Sequence, residues 1–198
     1  MKGKRRYLTF FAFLFSVTMI VGCGGIRYSQ LDPAAKNFKP KRLAVLPMDV
    51  GPYEEARGKI DVIIAGILAD RKWFEDIIAG EAMTNMLNSN EEFRRVASDY
   101  TTKLKMVNFS DPALSSKMGE IARVDAILIG NVDYWLYSKE SGKKIAKVGL
   151  SLKLVEAKTG KIMWKGSHHI DESYSLFAPK LESVATSLAK MMLDEMPH

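Results

Sequence analysis

From Lys147 to Leu154 the chain alternates without a break: Val148, Leu150, Leu152 and Leu154 are apolar, while Lys147, Gly149, Ser151 and Lys153 are not. A helix cannot keep a period of two on one face, so this segment must be a strand with one face on a core and one toward water. Turn residues bracket it. Ser141-Gly142 lies before it, and Lys158-Thr159-Gly160 follows it at hairpin spacing. On the upstream side, the run Val124 to Gly130 enters a strand that continues through Val132, Tyr134 and Leu136. On the downstream side, Ile162, Trp164 and Ile170 continue the apolar face in a third strand. Three strands joined by hairpins therefore form the spine of the second half.

The remaining segments surround that spine. Leu43 to Met48 is a short apolar run that reads as a buried strand, with Pro47 at its end because proline cannot donate to a ladder. Asp111-Pro112 starts a helix, an N-cap acid followed by proline in the first turn, and Leu114, Met118, Ile121 and Ala122 supply its apolar stripe. Leu181, Val184, Ala185, Leu188 and Met192 mark a last amphipathic helix, with Pro179 near its start. Phe74, Ile77, Ile78, Ala82 and Met86 read as one face of a helix ending near Asn88. Phe93 to Ala97 reads as a strand, and Lys103 to Phe109 as another strand or an ordered loop. Val62 to Ala69 is apolar throughout, between Asp61 and Asp70, and periodicity does not decide between helix and strand. Core packing is favoured for it over a membrane-dipping patch or a partner surface. The expectation is an α/β fold: one domain over residues 42–198, a two- or three-layer sandwich with a mixed sheet of four to five strands and helices packed on it.

The N-terminus carries a different signal. Lys2, Lys4, Arg5 and Arg6 precede an apolar stretch from Leu8 to Val21, the layout of a secretory signal and too short to span a bilayer. Ile20-Val21-Gly22-Cys23 closely resembles the bacterial lipobox. That resemblance implies cleavage between Gly22 and Cys23, with diacylglycerol on the Cys23 thiol and an acyl chain on the new amine. It makes residues 1–22 a lipoprotein signal peptide. No cofactor is expected beyond this covalent lipid. Gly24 stands where an aspartate commonly marks inner-membrane retention, so the resemblance implies an outer-membrane lipoprotein facing the periplasm. Residues 23–41, with Gly24-Gly25, Pro33 and Pro40, read as the lipidated cysteine and a flexible tether. About 17 residues span at most ~60 Å extended and roughly 22 Å as a coil, which keeps the domain close to its membrane.

Charge narrows the partners. The whole chain has 29 basic and 23 acidic residues, a net +6, but four of the basic residues leave with the signal and the mature side chains carry only +2. A near-balance offers no concentrated basic face for nucleic acid. With its single cysteine lipidated, the chain has no internal disulfide, so packing alone must hold the domain.

The search for catalytic chemistry yields little. Neither a Gly-rich phosphate loop nor a Gly-x-Ser-x-Gly elbow is present. His168-His169 suggests a metal, but neighbours on a strand point to opposite faces and cannot chelate one ion without a bulge, so no metal is expected. Asp125 and Asp133 flank the strand entered at Val124 to Gly130 and Glu120 precedes it, a set that acid/base chemistry would need in one cleft. Acids at strand ends are commonly structural, and no catalytic residue is assigned. The aromatics are more suggestive. Tyr134, Trp135 and Tyr137 sit together with Trp164 on the neighbouring hairpin, and alternation puts Trp135 and Tyr137 opposite Tyr134. One set is expected to be exposed and available as partner-binding anchors, unless a helix of the same domain covers it.

Three segments resemble a family of bacterial envelope lipoproteins. They are the opening strand Leu43-Ala44-Val45-Leu46-Pro47, the segment Glu120 to Gly130, and the hairpin Leu154 to Trp164 with its Thr159-Gly160 turn. The family includes the curli-secretion lipoprotein (CsgG type) and the penicillin-binding-protein activator (LpoB type), with a fold resembling the amino-terminal domain of TolB. The resemblance covers most of the mature chain, apart from Gly51 to Trp73. It implies a non-catalytic lipoprotein that binds another envelope protein as an assembly or accessory factor. The alternative it implies is a ring-forming subunit of a curli-type secretion complex. The alternating hairpins here are already needed by the sheet, which argues against their forming a barrel of transmembrane strands.

Overall fold

The computed structural model describes residues 27–198. Six strands form one sheet in the order β1-β6-β5-β4-β2-β3. They are β1 (Tyr28–Leu31), β2 (Arg42–Val45), β3 (Asp76–Ile78), β4 (Ala126–Glu140), β5 (Lys143–Glu156) and β6 (Ile162–Tyr174). The helices are α1 (Lys59–Arg71), α2 (Gly80–Ser89), α3 (Glu91–Val107), α4 (Pro112–Ala122) and α5 (Leu181–Leu193). β2 runs parallel to β3 and β4, and the other pairs are antiparallel, so the sheet is mixed. The α/β sandwich expected from the sequence is the observed architecture, with one strand more than the upper expectation.

The alternation in β5 sorts the two layers. Val148, Leu150, Leu152 and Leu154 join Leu43, Val45, Leu128, Trp135 and Trp164 on one face, where α1 and α5 cover them. Each fully buried aliphatic side chain there contributes about 1.5–3 kcal/mol. The opposite face packs Ala44, Leu46, Ile127, Ile129 and Val155 against Met83, Phe93, Tyr100, Leu104 and Met118 of α2, α3 and α4. A hydroxyl relay ties this second layer to the hairpin. The Tyr100 hydroxyl lies 2.6 Å from Ser110 Oγ, which donates to the Gly160 carbonyl at 2.5 Å. Gly160 sits at φ +69°, and a Cβ there would fall 2.9 Å from Pro112 Cα, so both backbone and space call for glycine.

Several segments differ from their sequence reading. Phe93 to Ala97 is helix, because Phe93, Val96, Ala97, Tyr100 and Leu104 form one buried stripe and Asn90 caps the start by accepting from the Phe93 amide. A five-residue window shows too little of that stripe. The segment Lys103 to Val107 continues the same helix, which ends at Asn108 in the left-handed region. Phe74 to Met86 is not one helix. Asp76–Ile78 pairs parallel with β2 as an edge strand, and α2 begins only after Ala79. Val62 to Ala69 lies inside α1, with Ile64, Ile67 and Leu68 buried and Val62 exposed. Among the described residues no helix is long and apolar enough to cross a membrane.

The tether reading needs the largest correction. Tyr28–Leu31 pairs with β6, and Pro33–Asn37 forms a short 3-10 turn capped by the Asp32 side chain. The pairing supplies what the local sequence does not show: a row of free donors and acceptors on the edge of β6. Residues 28–37 thus belong to the fold.

Candidate functional site: the open half of the sheet

The α2–α4 layer covers only one end of its face of the sheet. It stops near Ile129 on β4 and Val155 on β5. Beyond that line the strands present polar side chains, in the cross-strand pairs Ser151↔Ser167, Gly149↔His169 and Lys147↔Asp171. A bulge brings β4 into the same surface. The register shifts between Val132 and Tyr134, so Val132 stays on the covered face while Asp133 and Tyr134 both reach the open one. Unbroken alternation would put Val132 and Tyr134 on a single face, and the extra residue at Asp133 is what separates them.

The site is internally bonded. Ser151 Oγ donates to Asp133 Oδ2 at 2.6 Å and lies 3.0 Å from Ser167 Oγ, whose hydroxyl then supplies the second proton. The Asn131 side-chain amide donates to the other Asp133 oxygen. The Tyr134 ring meets His169 edge-on, with centroids 5.8 Å apart, and Lys147 Nζ sits 4.8 Å from the Tyr134 centroid. Glycine at 149 makes this crossing possible, since a Cβ would lie 2.6 Å from Tyr134 Cδ2. Burial works against the charge of Lys147, but Asp171 and Glu140 at 3.5 and 3.4 Å outweigh it and hold its pKa above the usual lysine value. Lys153 goes the other way: burial, helped by Lys165 on the paired strand, pulls its pKa down.

Two hollows lie on this surface and share Ser151. One, of about 750 Å³, runs between the last turn of α3 at Leu104, Lys105 and Asn108 and the strands at Asn131 and Lys153. The Lys105–Asp49 ion pair, at 2.6 Å, borders it. The other, of about 630 Å³, is lined by Arg27, Tyr28, Asp133, Tyr134, His168 and His169. Together they make a shallow trough with donors, acceptors and the Tyr28 and Tyr134 rings, a surface suited to another macromolecule.

The four aromatics singled out in the sequence do not form one site. Trp164 is fully buried with its indole N–H donating to Ser29 Oγ at 3.1 Å, and Trp135 is buried in the same core, so α5, α1 and β1 cover what had been expected as anchors. Tyr134, 38% exposed, stands on the open face, and Tyr137, 48% exposed, at the rim of the covered one. Tyr137 donates to the Pro179 carbonyl at 2.8 Å and packs edge-on against Tyr174. Ser151 and Lys147 were not singled out as site residues, although the polar half of the alternation that defined β5 had already marked their face; His169 was weighed only as a metal ligand.

The candidate acids do not converge. Asp125 accepts from the Lys41 and Arg42 amides at 3.0 and 2.9 Å and holds the entry of β2. Asp133 lies eight residues along the same strand, roughly 26 Å away. His168 and His169 face different partners, Leu150 and Gly149, and His168 Nδ1 accepts from the Arg27 amide at 2.9 Å. Burial, with the neighbouring His169 and Arg27 charges, lowers the His168 pKa. Among the described residues no three His, Cys, Asp or Glu side chains cluster as a metal site would require. Gly22 and Cys23 lie outside the described residues.

No protein-family model and no curated protein matches the chain. Solved structures do. Two structures of the PelC dodecamer from Paraburkholderia phytofirmans superpose with TM-scores of 0.54 and 0.53 at 18% identity, over 86% of this chain and 98% and 95% of PelC. Lipoprotein GNA1162 from Neisseria meningitidis gives 0.52 at 18% identity, over 78% of this chain and 99% of its own. The LpoB C-terminal domain from Escherichia coli, at 0.35 and 11% identity, is too loose a superposition to build on. At these identities the likeness is one of fold: this chain folds like PelC and like a neisserial lipoprotein.

Proposed function

We propose that the chain is a non-catalytic lipoprotein of the bacterial outer membrane, cut after Gly22, lipidated on Cys23, and facing the periplasm. Its domain binds another envelope protein as an assembly or accessory factor. The observation that carries this reading is the half-covered sheet. A domain that leaves β5 and β6 open beside α3, with Tyr134 standing on that surface, offers a ready contact for a partner. The lipobox-like residues Ile20 to Cys23 support the anchor.

A second reading has its own support. The PelC neighbours are described as dodecamers, so the partner is, on this reading, further copies of the same chain in a ring. Native mass spectrometry of the intact protein, extracted in mild detergent, separates the two. A complex holding a second polypeptide, lost when Tyr134→Ala and Ser151→Ala are combined, supports the accessory role. A closed homo-oligomer supports the ring. A bare monomer that captures nothing overturns both.

A further inference from the structure

β1 determines where the lipid anchor leaves the domain. It pairs antiparallel with β6, Tyr28 opposite Ser167 and Leu31 opposite Trp164. Followed backward toward the N-terminus, the chain therefore heads along β6 toward Tyr174. Arg27 still keeps that course, its amide donating to His168 Nδ1. The same end of the sheet carries the β4–β5 turn at Ser141-Gly142, because Lys144 pairs with Tyr174. It also carries the loop from Ser175 to Lys180.

The lengths show how short the tether is. From Ser167 to Tyr174 the strand advances seven residues, about 23 Å. From Tyr28 back to Cys23 there are five residues, about 18 Å at full extension. Even a taut tether falls short of the strand end. A domain turned the other way would need the tether to run back past Leu31 and the Thr159-Gly160 turn, again about 23 Å. The direction of the chain at Tyr28 and Arg27 breaks the tie, and the end holding Tyr174 is the one that faces the lipid of Cys23.

The chemistry of that end fits such a place. Leu176 and Phe177 are 85% and 88% exposed, the two most exposed large apolar side chains among the described residues. Tyr137 and Tyr174 stand just behind them as amphipathic rings. Lys139, Lys143, Lys144 and Lys180 flank the pair, all exposed and none in an ion pair among the described residues, while Glu140 is engaged by Lys147. Two apolar side chains at a tip, aromatics behind and cations around them match the interfacial zone of a bilayer with anionic headgroups.

We infer that the Leu176-Phe177 loop, with the lysines of the β4–β5 turn, is a second membrane contact that inserts into the leaflet anchoring Cys23 and fixes the orientation of the domain. This rests on the lipid anchor proposed above. It leaves the trough around Ser151 directed sideways, parallel to the membrane.

The test uses the full lipidated protein in vesicles of phosphatidylethanolamine and phosphatidylglycerol. With the Cys23 thiol carrying lipid, a cysteine introduced by Phe177→Cys takes a nitroxide label at one position. Asn88→Cys on α2 serves as the distant control. The expected result is an oxygen-to-nickel-chelate accessibility ratio severalfold higher at 177 than at 88, in membranes only. Equal ratios at both positions overturn the insertion while the anchor stands. Loss of access for both reagents at 177 means a protein covers the loop, and also overturns it. A Cys23 that still reacts with the label and carries no lipid mass overturns the anchor, and the inference with it.

Discussion

Leu150 and Ser151 are neighbours on β5, yet they sit on opposite sides of the sheet and do different work. Leu150 is fully buried beneath α1 and α5, in a core that runs without interruption from Leu43 to Trp164. Ser151 bonds Asp133 and Ser167 on a surface that no helix covers. One strand therefore supplies stability on one face and leaves a polar surface open on the other. The difference teaches where substitutions should be felt. Apolar area removed from water on the covered face dominates the free energy of folding, while the open face can change at little cost to the fold.

The largest effect is expected from Trp164→Ala. It removes a fully buried side chain and leaves Ser29 Oγ without the indole donor, so about 3–5 kcal/mol of stability should be lost. Urea unfolding measures it. A loss below about 1 kcal/mol would mean that the core face is not the main source of stability.

A smaller effect separates the two helix layers by pH. Burial raises the pKa of Asp61 on α1, against the lowering pull of the Met48 and Gly58 backbone bonds. Its folded pKa then exceeds its unfolded value, so the folded state holds the proton more tightly. Stability from this group is greatest below the ordinary carboxylate pKa and is lost as pH rises through the raised value. Asp111 on the other layer has the opposite sign. Lys103 and the Leu114 and Ala113 amides lower its pKa, so its contribution is present above the ordinary carboxylate value and lost as pH falls through the lowered one. Asp61→Asn keeps an acceptor for the Met48 amide. It should gain on the wild type as pH rises from about 4 to 8 in parallel denaturation series. A constant difference across the series would sink the assignment.

The smallest effect on folding is expected on the open face. Tyr134→Ala should change stability by less than about 1 kcal/mol, since the side chain is 38% exposed on the open face, outside both cores, and its ring contacts are with His169 and Lys147. A loss as large as that of Trp164→Ala would show that this face is also structural.

Much of the spine was legible because period-two alternation and turn chemistry are local. Val148 to Leu154, Ser141-Gly142 and Thr159-Gly160 all stand where the sequence reading put them. The helices starting at Pro112 and ending near Met192 were legible for the same reason, the first by its Asp111 cap and both by stripes that lie within one segment. β3 and β1 were not. Three and four residues long, they are strands because β2 and β6 offer them partners, and nothing within Asp76–Ile78 or Tyr28–Leu31 says so. The candidate site was half legible. The polar members of the alternation marked the face, but not that α2–α4 would stop short of it.

The sequence by itself determined the alternating strands, their turns, the capped helix at Pro112, the amphipathic stripe of the last helix and the lipobox-like start, since each depends on residues within a few positions of one another. Only the tertiary structure decided that Trp164 is core and Tyr134 is surface, that the bulge at Asp133 turns two consecutive side chains to one side, and that β1 shortens the tether. Those outcomes depend on which surfaces meet. Coverage of a sheet face and pairing of a sheet edge are set by segments far apart in the chain, 34 residues for Arg42 and Asp76 and 135 for Ser29 and Trp164, and no local pattern encodes such a meeting.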